Sequence, residues 1–195
     1  MACEGLITQD ILNDCDNPSQ GGLETNVILI NEDDIDITAT TYDATITTKM
    51  TNLQLLSGKT GYLLQGVKQV NGSSYELVKK EFGTDKYKHM FAGVLLNPSA
   101  EVKQQLLNMS QGSKYVVAYE RKWKGAGNVE AFEVIGIKSG LELQTAVYNT
   151  KENDGTIQFT LESTEGFEEP KPACTLLETD YATTKVAFDA KFAEA

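Results

Sequence analysis

One histidine, one tryptophan and, among 17 basic residues, one arginine leave little from which to assemble a catalytic site in 195 residues. Nucleophilic catalysis needs a nucleophile, a base and an orienting group. The chain carries no G-x-S-x-G elbow and no papain-like cysteine context. It also lacks G-x-x-x-x-G-K-[ST] and a G-x-G-x-x-G that follows a strand, the usual phosphate cradles. The glycine-rich KGAGN around Gly125 falls where a hairpin turn is expected, and such a loop must open a helix to use its dipole. Cys3, Cys15 and Cys174 stand at unrelated spacings and His89 stands alone, which argues against a disulfide scaffold and a zinc site. Reduced thiols in a cytoplasmic setting are expected, with a Cys3 to Cys15 bridge as the alternative. No enzyme activity, cofactor or metal is expected, although a carboxylate pair for glycoside hydrolysis stays open because such pairing arises in space. There is no apolar run of roughly 20 residues to cross a membrane. The opening MACEGLITQD has neither the basic region nor the apolar stretch of a secretory signal.

What is present is 41% hydrophobic residues, enough for one domain with a substantial core, and 28 acids against 17 bases for a net charge of −11. Such a surface repels phosphate, which argues against tight nucleic-acid binding. Repulsion has a use, because an acidic conduit lets DNA pass without sticking.

Residues 1 to 24 read as an irregular amino-terminal arm, with residues 25 to 195 as a single domain. Asn17-Pro18 and Gly21-Gly22 are turn signals. Leu6, Ile7, Ile11 and Leu12 give the arm something to bury, either as a short helix or against a neighbouring subunit; a disordered tail is the alternative. TNVILI, from Thr25 to Ile30, is a buried-strand candidate. Glu32, Asp33, Asp34 and Asp36 follow it without the glycine and spacing of a calcium loop, so they read as a solvated acidic loop. The Thr-rich segment from Ile37 to Met50 suits a long or bent strand. Asn71-Gly72 then predicts a tight hairpin between Lys59 to Val70 and Ser74 to Phe82. Lys79, Lys80, Lys86 and Lys88 form one basic patch, read as solvated lysines or as a surface that pairs with an acidic face of another copy. His89 reads as structural, since a catalytic base must be oriented by partners.

The stretch from Tyr87 to Trp123 reads as strand, helix, strand. Asn97 can cap, Pro98 fits the first helical position and Glu101 suits the first turn. Val102, Leu106 and Met109 form one apolar stripe, and Gly112 stops the helix. Two hairpins follow: Lys114 to Lys124 with Val129 to Lys138 around GAGN, anchored by Trp123, and Leu141 to Tyr148 with Thr156 to Leu161 across Asp154-Gly155. Pro170 and Pro172 mark a loop. In the tail, Val186, Phe188, Ala190 and Phe192 alternate as a strand would, with a helix as the alternative. The expected fold is mainly β: an antiparallel β-sandwich or barrel of about ten strands with one flanking α-helix and extended loops or arms.

The strands around Tyr87 to Leu96 and Lys114 to Ile137, the single helix from Pro98 to Ser110 and the long Thr-rich segment from Ile37 to Val70 resemble the tail tube (major tail) proteins of tailed bacteriophages. The opening MACEGL and the later GGLE also resemble the start of phage virion proteins. The amino-terminal arm and the Pro170 to Pro172 loop depart from that pattern. The resemblance implies a virion tail protein assembled in the host cytoplasm. It implies homo-hexameric rings, stacked into a tube and joined to other virion tail proteins, through which DNA passes without specific binding. It further implies that the helix stripe closes one side of a barrel, that acidic side chains such as Glu32, Asp33, Asp34 and Asp36 face the lumen or a loop, and that Leu6, Ile7, Ile11, Leu12, Lys79 and Lys80 make inter-subunit contacts. The alternatives are another virion component, such as a head decoration or connector protein, and a carbohydrate-binding β-sandwich.

Overall fold

A computed structural model describes residues 5–67, 70–190 and 192. Within it the chain forms eleven strands, two α-helices and two short 3-10 turns. Seven strands make one sheet, in the order β2 (Thr41–Tyr42), β3 (Lys49–Asn52), β11 (Cys174–Leu176), β8 (Phe132–Ile135), β7 (Tyr115–Arg121), β1 (Leu23–Asn31), β4 (Tyr62–Gln65). Four make a second sheet, in the order β5 (Gly72–Val78), β6 (Lys86–Leu95), β10 (Ile157–Glu162), β9 (Glu142–Tyr148). The two sheets stack as a sandwich, and neither closes on itself into a barrel.

Alternation along the strands sorts the core into two clusters. Val27, Leu64, Val117, Tyr119 and Ile135 on the seven-stranded sheet meet Phe91, Phe159 and Leu161 on the four-stranded sheet. The opposite residues of the same strands, Ile28, Ile30, Val116, Ala118, Phe132 and Val134, form the second cluster. It is covered by Ile35, Met50, Leu53 and Leu55 from the segment after β1 and by Phe188 from helix α2 (Tyr181–Asp189). The molecule therefore has three layers. The seven-stranded sheet is buried on both faces at its centre, which explains why β7 is buried along nearly its whole length and apolar or aromatic from Tyr115 to Tyr119. The four-stranded sheet is covered on one face only.

Gly93 on β6 marks how tightly the two sheets close. A methyl group at this position would lie 2.6 Å from the Phe159 ring and 2.9 Å from Phe91. Only a glycine lets both rings lie over the β6 backbone.

The two later hairpins form as the sequence predicts: β7 pairs with β8, and β9 with β10, antiparallel in both cases. Asp154 and Gly155 both take positive φ in the second turn. Helix α1 (Ala100–Met109) starts later than Pro98, because Ser99 takes the capping role in place of Asn97 and its hydroxyl accepts the Val102 N–H at 3.3 Å. Its inward stripe is Val102, Leu106 and Met109, with Met109 inside the inter-sheet cluster.

Four expectations are corrected. The tail is a helix, so the fold has two helices. Asp180 accepts the Thr183 N–H at 2.7 Å as its cap, Tyr181, Thr184 and Phe188 face inward at helical spacing, and Val186 is 70% exposed. The segment from Ile37 to Met50 is not one long strand. The Asp36 and Asp43 carboxylates each accept two backbone N–H groups two and three residues ahead, which turns the chain and leaves only the short β2 and β3. Asn71-Gly72 is not a hairpin turn: β4 pairs with β1 and β5 with β6, so this dipeptide ends the crossing from one sheet to the other, at the first residue of β5. Asn71 is buried there, with its side-chain oxygen accepting the Val94 N–H at 3.3 Å. The closed barrel is replaced by the open sandwich.

Candidate assembly surface

The four-stranded sheet leaves one face outside both core clusters. Its inner-facing residues Phe91, Phe159 and Leu161 are buried. The outer face carries Ser74 and Glu76 on β5, Lys88 and Ala92 on β6, Gln158, Thr160 and Glu162 on β10, and Thr145 and Val147 on β9. Serine, threonine and glutamine lie on it beside the charged Glu76, Lys88, Glu142 and Glu162 and the apolar Met90, Val94 and Val147, with Thr145 and Thr160 hydrogen-bonded across the strands at 2.7 Å. Lys88 pairs with Glu162 at 2.5 Å.

Both margins of this sheet are open. β5 and β9 are the terminal strands, and neither has a second partner among the described residues. Unpaired strand edges are templates for pairing with another chain unless something blunts them. Each edge carries exposed apolar groups, Tyr75 at 51% and Leu77 at 48% on β5, Val147 at 53% and Tyr148 at 50% on β9, alongside Glu76 on β5, Glu142 and an irregularity in pairing on β9, and Lys103 over the Tyr148 ring. Tyr75 and Tyr148 project on the inner side of the sheet, beyond the cover of the seven-stranded layer.

The loop between β5 and β6 is fixed by ion pairs. Lys79 binds Asp85 at 2.6 Å, and Lys80 binds Glu168 at 2.7 Å, where the Glu168 side chain is 4% exposed. That ammonium holds the Glu168 carboxyl down to about 2. A cleft of about 620 Å3 opens beside these groups between Lys80, Lys88, Glu162, Thr164 and Glu168. A smaller recess of about 290 Å3 contains Glu120, Lys124, Tyr181 and Lys185. There Glu120 accepts from the Tyr181 hydroxyl at 2.8 Å and binds Lys124, which locks β7 to α2. In both places the acids pair with lysines of the same fold, and in the larger cleft Thr164 Oγ1 and Glu168 Oε2 are buried without a hydrogen-bond partner among the described residues.

No protein-family model, curated protein or solved structure matches this chain. Function must therefore be argued from the arrangement itself.

The sequence-derived candidates are dispersed through this arrangement. Lys79 and Lys80 are engaged within their own chain. Glu32, Asp33 and Asp34 form a 3-10 turn after β1, on the seven-stranded layer. Asp34 is buried, pairs with Lys59 at 2.8 Å and accepts from the Asn31 amide, so it braces the turn. Leu6, Ile7, Ile11 and Leu12 lie in a segment without helix or strand and are 78% to 88% exposed. Trp123, expected to anchor the β7–β8 hairpin, bonds the arm instead: its indole N–H donates to the Asn17 carbonyl at 3.0 Å and holds the base of the arm against β7.

His89 is structural and buried. Its Nδ1 accepts the Gly136 N–H at 3.1 Å, so the proton sits on Nε2, which donates to the Lys171 carbonyl at 3.0 Å. Burial pushes its pKa down to about 4, so the ring is neutral. Cys174 is buried and its thiol is pushed up to about 11, which makes it inert. Cys15 is exposed and free; Cys3, and with it the expected alternative bridge, lies outside the described residues. Among the described residues no group of three His, Cys, Asp or Glu side chains could hold a metal ion, and no helix is long and apolar enough to cross a membrane.

Sequence reasoning missed Glu169. It sits in the proline loop at 1% exposure, its carboxylate accepts the Lys138 and Ser139 N–H groups at 3.0 and 2.8 Å, and its backbone pairs with Tyr87. Nothing in GFEEPKPAC distinguishes this buried acid from its neighbours.

Proposed function

We propose that this chain is a structural subunit that joins copies of itself edge to edge, in the manner of a phage tail tube protein. The observation that carries this reading is the four-stranded sheet with two open margins. All its pairings are antiparallel and its strand number is even, so β5 and β9 run in opposite directions. Copies related by rotation about one axis would then place β9 of one subunit antiparallel beside β5 of the next. The contact is heterologous and closes into a ring when the rotation closes.

Six copies would contribute twenty-four strands, which at about 4.8 Å spacing and the usual tilt form a barrel roughly 45 Å across at the backbone. That leaves room for a DNA duplex. The outer face of each sheet would line the bore with Ser74, Thr145, Gln158 and Thr160, and with Lys88 held by Glu162. Glu32 to Asp36 belong to the other layer in this arrangement. The net charge of −11 adds long-range repulsion of phosphate. On the inner side Tyr75 and Leu77 would pack against Tyr148 of the adjoining copy, covering the apolar groups now exposed.

Electron microscopy of the purified protein tests this reading. Rings with an open bore, stacked into tubes at high concentration, are expected. A monodisperse monomer at millimolar concentration refutes it.

A further inference from the structure

We propose that the free part of the arm, residues 5–14, adds as an extra strand to β4 of a second copy. The two surfaces that would meet are both unsatisfied. β4 ends the seven-stranded sheet opposite β2, so one side of its backbone has no strand partner among the described residues. Successive side chains of a strand point to opposite faces, and β4 exposes an apolar group on each: Tyr62 at 58% and Leu63 at 44%. An extended arm divides in the same way, with Leu6 and Leu12 on one face and Ile7 and Ile11 on the other. All four are at least 78% exposed. β4 is four residues long, so one apolar pair of the arm, Leu6 with Ile7 or Ile11 with Leu12, can lie beside Tyr62 and Leu63 with one group on each face.

The geometry places this contact between copies. β7 and β4 flank β1 on opposite sides. The arm leaves along β7, where the Lys122 N–H donates to Gly22 O at 3.0 Å and the Trp123 indole to Asn17 O at 3.0 Å. It therefore departs on the side of β1 away from its own β4. The ten residues 5–14 extend roughly 33 Å, enough to bridge to a neighbour. The β2 edge is a poorer acceptor because it has only two residues, and β5 and β9 are used in the ring. The inference needs copies to meet but does not depend on the β5 to β9 contact.

Hydrogen exchange on the full-length chain as a function of concentration separates the two. Residues 5–12 and the outward amides of β4 are expected to slow together by about ten-fold or more as concentration rises, and both to lose that protection in full-length Ile7→Asp/Ile11→Asp. Protection of β5 and β9 without β4 overturns the arm inference and leaves the ring. Protection of the arm and β4 without β5 and β9 supports it and refutes the ring. Slowing of β4 that is independent of concentration, or unchanged in the double variant, overturns it.

Discussion

His89 Nδ1 accepts the backbone N–H of Gly136 at 3.1 Å, which ties the four-stranded sheet to the end of β8 in the other sheet. Gly136 has φ +76° and an added Cβ would meet Leu141 at 2.7 Å, so the turn that presents this N–H requires glycine.

The first prediction concerns pH. Folding lowers the His89 pKa from 6.5 to about 4. A group with a depressed folded pKa contributes its full share above the unfolded value and loses it as pH falls toward the folded one. Stability should therefore decline from pH 6.5 toward pH 4. Carboxylates held low, such as Glu168, add their loss near and below 4.5, while Glu169 and Glu178, raised by burial, act in the opposite sense as they protonate, so a decline that starts near pH 6.5 is the part carried by His89. Thermal unfolding followed at half-unit steps checks it: His89→Gln should be less stable at pH 7 yet show no decline between pH 6.5 and 5. An equal slope in both proteins would show the cause lies elsewhere.

The second prediction uses Gly93. Gly93→Ala forces a methyl group into the Phe91 and Phe159 rings and should cost about 1–3 kcal/mol through overpacking. Gly72→Ala, on the adjoining strand, meets nothing within 4 Å and should change stability by less than about 0.5 kcal/mol. Urea unfolding of both variants gives the comparison.

A third prediction separates the two lysines. Lys80→Met strands a carboxylate that is 4% exposed and should cost about 3–5 kcal/mol. Lys79→Met breaks a solvent-screened pair whose lysine is 78% exposed and should cost far less than Lys80→Met. Adding Glu168→Gln to Lys80→Met should recover much of the loss. If it recovers nothing, the lysine acts through its stem.

The fourth addresses assembly. Tyr75→Lys/Leu77→Lys places charge on the open β5 margin, where both residues are about half exposed. The monomer should keep its unfolding midpoint within about 1 kcal/mol, while rings disappear from micrographs. Rings that persist would show that β5 is not the joining edge.

How much of this was legible in the sequence depended on distance along the chain. The hairpins β7–β8 and β9–β10 were readable because alternation and turn residues are local signals. The stripe Val102, Leu106, Met109 was readable because helical spacing declares its own inward face. The tail misled because Phe188 and Phe192 satisfy both a two-residue and a four-residue interval, and only the Asp180 cap distinguishes them. Asn71-Gly72 misled because its hairpin chemistry is real, while β1 outcompetes β5 for the partner strand. The arm's four apolar residues were visible as candidates, but their relation to β4 needs the strand order. Glu169 left no signal, since its partners are backbone amides 30 and 31 residues away.

The seven-stranded sheet is walled on both faces and the four-stranded sheet on one, so a single panel of the molecule can change its chemistry without disturbing any packed interior. Ser74, Ala92, Thr145, Gln158 and Thr160 occupy that panel. A lineage of such chains could therefore retune charge and friction along this wall residue by residue, while the fold behind it stays fixed.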